Sequence, residues 1–193
     1  IYIYNIFYFN SIKLIENYTF FGMNQLMRIN LTMNKINLIE KNSFYCLNRL
    51  SKIDLSFNQL RYLLPFTFNC TRQLIYLSLS HNRLDKIEEN VFKGLNLLKE
   101  LYLNNNRIKF INNDYFMNLI SVNTLNLANN QLSKIEKLSF KNLKMLISLN
   151  LDNNCLFKLD KNLFNANNNS IYFYLSNNII SEIKREYFTK LIR

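Results

Sequence analysis

The chain has 193 residues, with 24 Lys and Arg against 13 Asp and Glu, and a formal net charge of +11. A single histidine excludes multi-histidine metal sites from this stretch, and three cysteines are too few for a disulfide framework. No run of about 18 apolar residues occurs, so no spanning helix is encoded in it.

Asparagine recurs in strict 24-residue register at Asn10, Asn34, Asn58, Asn82, Asn106, Asn130, Asn154 and Asn178. With that asparagine as position 9, the units in chain order are 2 to 25, 26 to 49, 50 to 73, 74 to 97, 98 to 121, 122 to 145, 146 to 169 and 170 to 193. A fixed period of this size predicts one supersecondary unit copied and stacked into a solenoid. The apolar start, IYIYNIFYF, resembles a signal segment, but Phe7 and Asn10 already hold their repeat positions, and the repeat reading is preferred.

Each unit opens on an alternating stretch such as Leu74-Ile75-Tyr76-Leu77-Ser78-Leu79, which predicts a half-buried strand. Positions 11 and 14, always Ile or Leu, turn the chain back. Position 19 is phenylalanine from Phe20 to Phe188, and with an apolar residue three places on, as in Phe92 and Leu95, it predicts a helical or 3₁₀ turn. Over positions 1, 4, 6, 11, 14, 19 and 22, 52 of 56 residues are apolar, the exceptions being Asn5, Thr71, Asn167 and Ser170, so stacking builds one continuous core. The asparagine is a polar residue at an inward-turning corner. It is predicted to bond backbone groups of its own coil and the next in a structural ladder.

The string L-x-x-L-x-L-x-x-N-x-L-x-x-I-x-x-x-x-F-x-x-L, met throughout from Leu98 to Leu119, resembles the typical 24-residue class of leucine-rich repeat. The resemblance spans 2 to 193. It implies an α/β solenoid: a right-handed curved horseshoe with a parallel sheet on its concave face and short helical, 3₁₀ or irregular segments on the convex face. It is similar to arrays in Toll-like receptors, Slit-like guidance proteins, matrix proteoglycans and adhesion receptors. That implies protein binding, an extracellular location or the outer face of the plasma membrane, and cysteine-rich end caps. Neither cap occurs in this sequence, which reads as one array of eight repeats and as a fragment of a longer protein.

On the implied concave face, positions 2, 3, 5, 7 and 8, the bases Arg28, Lys52 and Lys99 balance the acids Asp54, Glu100 and Asp152. The positive excess falls on edges and back, including Lys35, Arg83, Lys86, Arg107, Lys109, Lys134 and Lys158. That basic edge is an expected site for a glycan or an anionic surface; no nucleic-acid motif accompanies it. The candidates for partner binding are Arg28, Lys52, Tyr76, Lys99, Glu100, Tyr102, Tyr172 and Tyr174, because tyrosine offers a large contact area with a polar tip. The first coil adds Tyr4, Ile6, Tyr8 and Phe9, whereas Asn123, Thr124, Asn126 and Ser148 are only polar.

The carboxylates of position 15, Glu16, Glu40, Glu88, Glu136 and Asp160, form a row that converges on no pocket. No catalytic residue, metal ligand or cofactor site is assigned. Cys46 and Cys70 share position 21 on adjacent coils and are expected to be free thiols, with Cys155. Glycosylation sequons occur at Asn17, Asn30, Asn69 and Asn168, but 35 asparagines and 19 Ser or Thr in 193 residues predict about as many by chance. Three functions compete: an extracellular protein-recognition module, an intracellular scaffold, and a structural protein that self-associates.

Overall fold

The computed structural model describes residues 3–161, 163 and 172–185. The sequence-predicted positions Phe164, Asn167, Asn168, Ser170 and Phe188 lie outside the described residues. In chain order the strands are β1 (Ile3–Ile6), β2 (Leu14–Ile15), β3 (Leu26–Asn30), β4 (Leu38–Ile39), β5 (Lys52–Asp54) and β6 (Tyr76–Ser78). They continue with β7 (Glu100–Tyr102), β8 (Phe110–Ile111), β9 (Thr124–Asn126), β10 (Lys134–Ile135), β11 (Ser148–Asn150) and β12 (Tyr172–Tyr174). Eight of these form one parallel sheet in the order β1-β3-β5-β6-β7-β9-β11-β12. From Tyr4 on, each paired residue lies beside its counterpart 24 places on, as Lys52 beside Tyr76 and Tyr76 beside Glu100; Ile3 pairs out of step with Leu26.

Alternation along the strands buries position 4, so Ile53, Leu77, Leu101, Leu125 and Leu149 are fully covered while their neighbours face outward. Positions 1, 6, 11, 14, 19 and 22 supply most of the rest of the core. The phenylalanines of position 19 stack coil on coil, with ring centroids 5.9 Å apart for Phe20 and Phe44, 5.7 Å for Phe44 and Phe68, and 5.9 Å for Phe116 and Phe140. At the two ends of the described stack the same positions are open: Phe7, Met23 and Ile183 are exposed.

The return segments are irregular. Among the described residues they form hydrogen-bonded turns and no α-helix, so of the three convex conformations expected from the sequence the irregular one prevails. The Phe-x-x-Leu spacing is met by single turns, such as Leu95 N–H donating to Phe92 O at 3.2 Å. Two additional parallel pairs, β2 with β4 and β8 with β10, flank the return at positions 13 and 14 and were not predicted from sequence.

A further buried position, 18, also escaped the apolar pattern. Ser43, Thr67, Val91, Tyr115, Ser139 and Leu163 are all buried there. Serine and threonine tolerate the site because their hydroxyls donate locally: Ser43 to Glu40 O at 2.7 Å, Thr67 to Leu64 O at 2.7 Å, Ser139 to Glu136 O at 2.7 Å. A position that accepts small polar, β-branched and aromatic residues alike leaves no hydrophobic periodicity.

The position 9 asparagines carry the polar side of the stack. Asn82 Nδ2 donates to Leu79 O at 3.1 Å in its own coil and to Leu55 O at 3.0 Å in the preceding one, while its Oδ1 accepts Leu60 N–H at 3.0 Å. Asn34, Asn58, Asn106, Asn130, Asn154 and Asn178 repeat that arrangement. Asn10 is exposed, and its side chain donates within its own coil, to Phe7 O and Tyr8 O.

Candidate partner-binding site

Parallel pairing in register fixes which outward side chains become neighbours. Tyr4, Arg28, Lys52, Tyr76, Glu100, Thr124, Ser148 and Tyr172 form one row across the sheet, and Ile6, Asn30, Asp54, Ser78, Tyr102, Asn126, Asn150 and Tyr174 form the next. Adjacent strands stand about 4.8 Å apart. Side chains on neighbouring coils are therefore in contact.

Arg28 lies over the Tyr4 ring, 5.2 Å from its centroid, and Lys52 Nζ lies 3.9 Å from the Tyr76 centroid. Ser78 is small enough to let the rings of Tyr76 and Tyr102 meet diagonally, 5.4 Å apart and tilted by 43°. Tyr102 Oη donates to Glu100 Oε2 at 2.9 Å. The result is a contiguous strip of cation, ring, ring and carboxylate over β5, β6 and β7. Asp54 bonds inward along its strand end, accepting from Ser56 N–H at 3.0 Å and Ser56 Oγ–H at 2.6 Å.

Burial and the Glu100 hydrogen bond push the Tyr102 phenol up to about 12, and burial together with the Asp54 charge raises Tyr76 above the ordinary phenol range. Both phenols are protonated at neutral pH, as an ordinary phenol is, and the shifts extend their donor capacity into the alkaline range. The strip offers a partner ring surface, phenol O–H groups and charges of both signs.

Of the sequence candidates, the structure brings Arg28, Lys52, Tyr76, Glu100 and Tyr102 together. Lys99 is exposed beside Glu100, and its backbone O accepts from Asn123 and Thr124 N–H. Tyr172 and Tyr174 are exposed on β12 but stand three strands from β7, roughly 14 Å away, beyond the polar residues of β9 and β11. Part of the face expected to be displayed is covered: Ser56, Ser78, Ser80 and Ala128 are buried, as short side chains shaded by longer neighbours.

Sequence reasoning missed one feature of this face, the backbone of position 8. Phe9, Met33, Phe57, His81, Asn105, Asn129, Asn153 and Asn177 all have φ between 53° and 58°. This left-handed turn keeps the N–H in the ladder from Phe9 to Asn153, as Phe57 N–H donates to Ser80 O at 3.0 Å and Asn105 N–H to Ala128 O at 2.9 Å. The four consecutive asparagines of the later coils were the available signal, since asparagine favours that region.

Asn17 and Asn69 are exposed, and Asn30 is half-buried with Oδ1 accepting from Thr32 N–H and Oγ–H. Cys46, Cys70 and Cys155 are free thiols. Among the described residues no three His, Cys, Asp or Glu side chains group as metal ligands, and no helix is long and apolar enough to cross a membrane.

The family model for the leucine rich repeat matches residues 8–60, 63–108 and 97–156, most of the chain. The chain belongs to the leucine-rich repeat family. No curated protein matches it in sequence. Among solved structures, a chain of the glycosylated Toll–Spatzle complex of Drosophila is similar at 22% identity and a TM-score of 0.85, over 94% of this leucine-rich repeat chain and 26% of that one. A second structure of the Toll–Spatzle complex gives 21% and 0.73 over 97% and 28%, and the crystal structure of the TLR13–ssRNA13 complex gives 24% and 0.69 over 97% and 31%. The chain thus spans about a quarter to a third of those chains, and the likeness is one of fold, a leucine-rich repeat solenoid with a parallel sheet.

Proposed function

We propose that this array is a protein-recognition module, part of an extracellular receptor or adhesion ectodomain, that binds a macromolecular partner through the exposed face of its parallel sheet. The observation that carries the reading is the strip Lys52, Tyr76, Tyr102 and Glu100, where two phenols kept neutral lie between a cation and a carboxylate on a rigid surface. Neutral tyrosines flanked by charge provide contact area at low entropic cost and fix orientation through their hydroxyls. Binding, not turnover, is the function such a static arrangement supports. The Drosophila structures described as Toll–Spatzle complexes favour a protein ligand and a location outside the cell.

One structural neighbour is described as an ssRNA complex, so the missing nucleic-acid motif does not decide against RNA, and a single-stranded oligonucleotide is the necessary control ligand. The test selects binders to the full chain from a displayed library of protein fragments, then compares their affinity for the wild type and for Tyr76→Ala with Tyr102→Ala. A loss of roughly tenfold or more supports the reading. Unchanged affinity, or binding only by the oligonucleotide, overturns it.

A basic groove on the edge has its own observation: Asn37, Leu38, Gln59, Arg61, Tyr62 and Arg83 line a depression of about 360 Å³. It is the second reading, a site for an anionic glycan, and heparin-fragment binding lost in Arg61→Gln with Arg83→Gln tests it.

A further inference from the structure

Position 8 divides the molecule in two. In the last four described coils it holds Asn105, Asn129, Asn153 and Asn177, residues at ease with φ near 55°, and Asn177 Nδ2 donates to Asn153 Oδ1 at 2.9 Å. In the first four the same backbone position, with the same φ, holds Phe9, Met33, Phe57 and His81. For bulky side chains this conformation is unfavourable. Outward placement recovers little of that cost for Phe9, 76% exposed, and Met33, 47%, while Phe57, 45% exposed, recovers part of it by stacking on His81 at 4.0 Å. The later coils show that the fold does not require them. That leaves an apolar ridge held at a backbone cost where the same chain uses asparagine in its later coils.

The flanking charges identify the occupant. On the same coils Tyr4, Ile6, Arg28, Lys52 and Asp54 line a groove of about 370 Å³, and Phe9 and Met33 line a second depression. Neither Arg28 nor Lys52 has a carboxylate within ion-pair distance among the described residues, and Asp54 is engaged by Ser56. From Arg28 to Met33 is five residues of near-extended chain, on the order of 15 Å.

We propose that the first four coils bind an acidic, apolar peptide segment of a partner protein, its carboxylate at Arg28 and Lys52 and its apolar side chain, about five residues along, on the ridge Phe9, Met33 and Phe57. This rests on the reading of the sheet face as the partner site and gives that partner a chemistry. Nucleic acid fits less well, because the cations lie over the Tyr4 and Tyr76 rings that bases would stack on.

The test is a displayed random-peptide library selected on the full chain, with a fluorescent 20-nucleotide oligo-U as the second probe. Affinities are measured on the wild type, on the triple variant Phe9→Asn, Met33→Asn, Phe57→Asn, and on Arg28→Glu with Lys52→Glu. Asparagine already occupies this backbone position in the later coils, so the triple variant is expected to fold, which far-ultraviolet circular dichroism checks. The expected result is peptides carrying Asp or Glu about five residues from an aliphatic or aromatic residue. These bind the triple variant at least roughly tenfold more weakly, and the charge-reversed variant regains affinity for peptides with Lys at the acidic position. Peptides that lose affinity on Tyr76→Ala with Tyr102→Ala but not on the triple variant overturn this inference and leave the sheet-face reading standing. Peptides indifferent to all the variants, or binding by oligo-U alone, overturn both.

Discussion

Replacing Asn82 by alanine separates what a ladder asparagine does from what any polar corner residue does. Asn82 Nδ2 donates to Leu55 O, Leu79 O and Ser80 O, and its Oδ1 accepts Leu60 N–H. All three carbonyls keep another donor in the variant: Asn58 Nδ2 on Leu55 O, Asn106 Nδ2 on Leu79 O, and Phe57 N–H on Ser80 O. Leu60 N–H, in a fully buried residue, loses its acceptor. An orphaned buried donor costs about 1–3 kcal/mol, and the bonds donated by the amide's two N–H hydrogens, shared among those carbonyls, add about 1 kcal/mol each. Asn82→Ala should therefore destabilise by about 3–5 kcal/mol. Asn10→Ala removes only exposed bonds within one coil and should cost under about 1 kcal/mol. Urea denaturation of both variants, with hydrogen exchange at Leu60, measures the difference. Equal losses, or an unchanged Leu60 amide, would show that the ladder does not bind coil to coil.

Phe116→Ala opens a cavity in the middle of a stacked run, between Phe92 and Phe140, and should cost about 3–5 kcal/mol by urea denaturation; a loss under about 1 kcal/mol would mean that the spine is not packed. Met33→Asn relieves a bulky side chain in the left-handed region, and should raise stability by about 0.5–1 kcal/mol, with a clear loss counting against backbone strain on the ridge. The Tyr102 phenol, raised in the folded protein, favours folding below pH 10, and that contribution is lost as pH rises through about 12. Ultraviolet titration should show one phenol ionising well above the others, moving down in Glu100→Gln, and Tyr102→Phe should flatten stability between pH 10 and 12. A single ionisation step near pH 10 for every phenol would refute the burial and hydrogen-bond cause.

The scaffold was legible because the buried positions repeat the same residue type every 24 places: Asn82, Leu79 and Phe92 have counterparts in neighbouring coils. Position 18 was not, since Ser43 and Val91 satisfy the same site by different means, a local hydroxyl bond in one case and apolar packing in the other. Nor were β8 and β10, two-residue pairs that alternation cannot register. For the candidate site, the periodicity placed Tyr76, Glu100 and Tyr102 on one face. It could not say that the Tyr76 and Tyr102 rings would meet, because that diagonal contact depends on the small neighbour Ser78. The left-handed position 8 stayed hidden because Phe9, Met33 and Phe57 lack the turn chemistry that Asn105 and Asn129 display.

Hydroxyl-radical footprinting of the full chain with and without a selected protein-fragment ligand tests the sheet-face assignment most directly, since it reads side chains on every surface at once. Protection of Tyr76 and Tyr102, with Tyr62, Phe110, Met117 and Met145 unchanged, is the expected pattern. Protection of those four residues with Tyr76 and Tyr102 left reactive would contradict it.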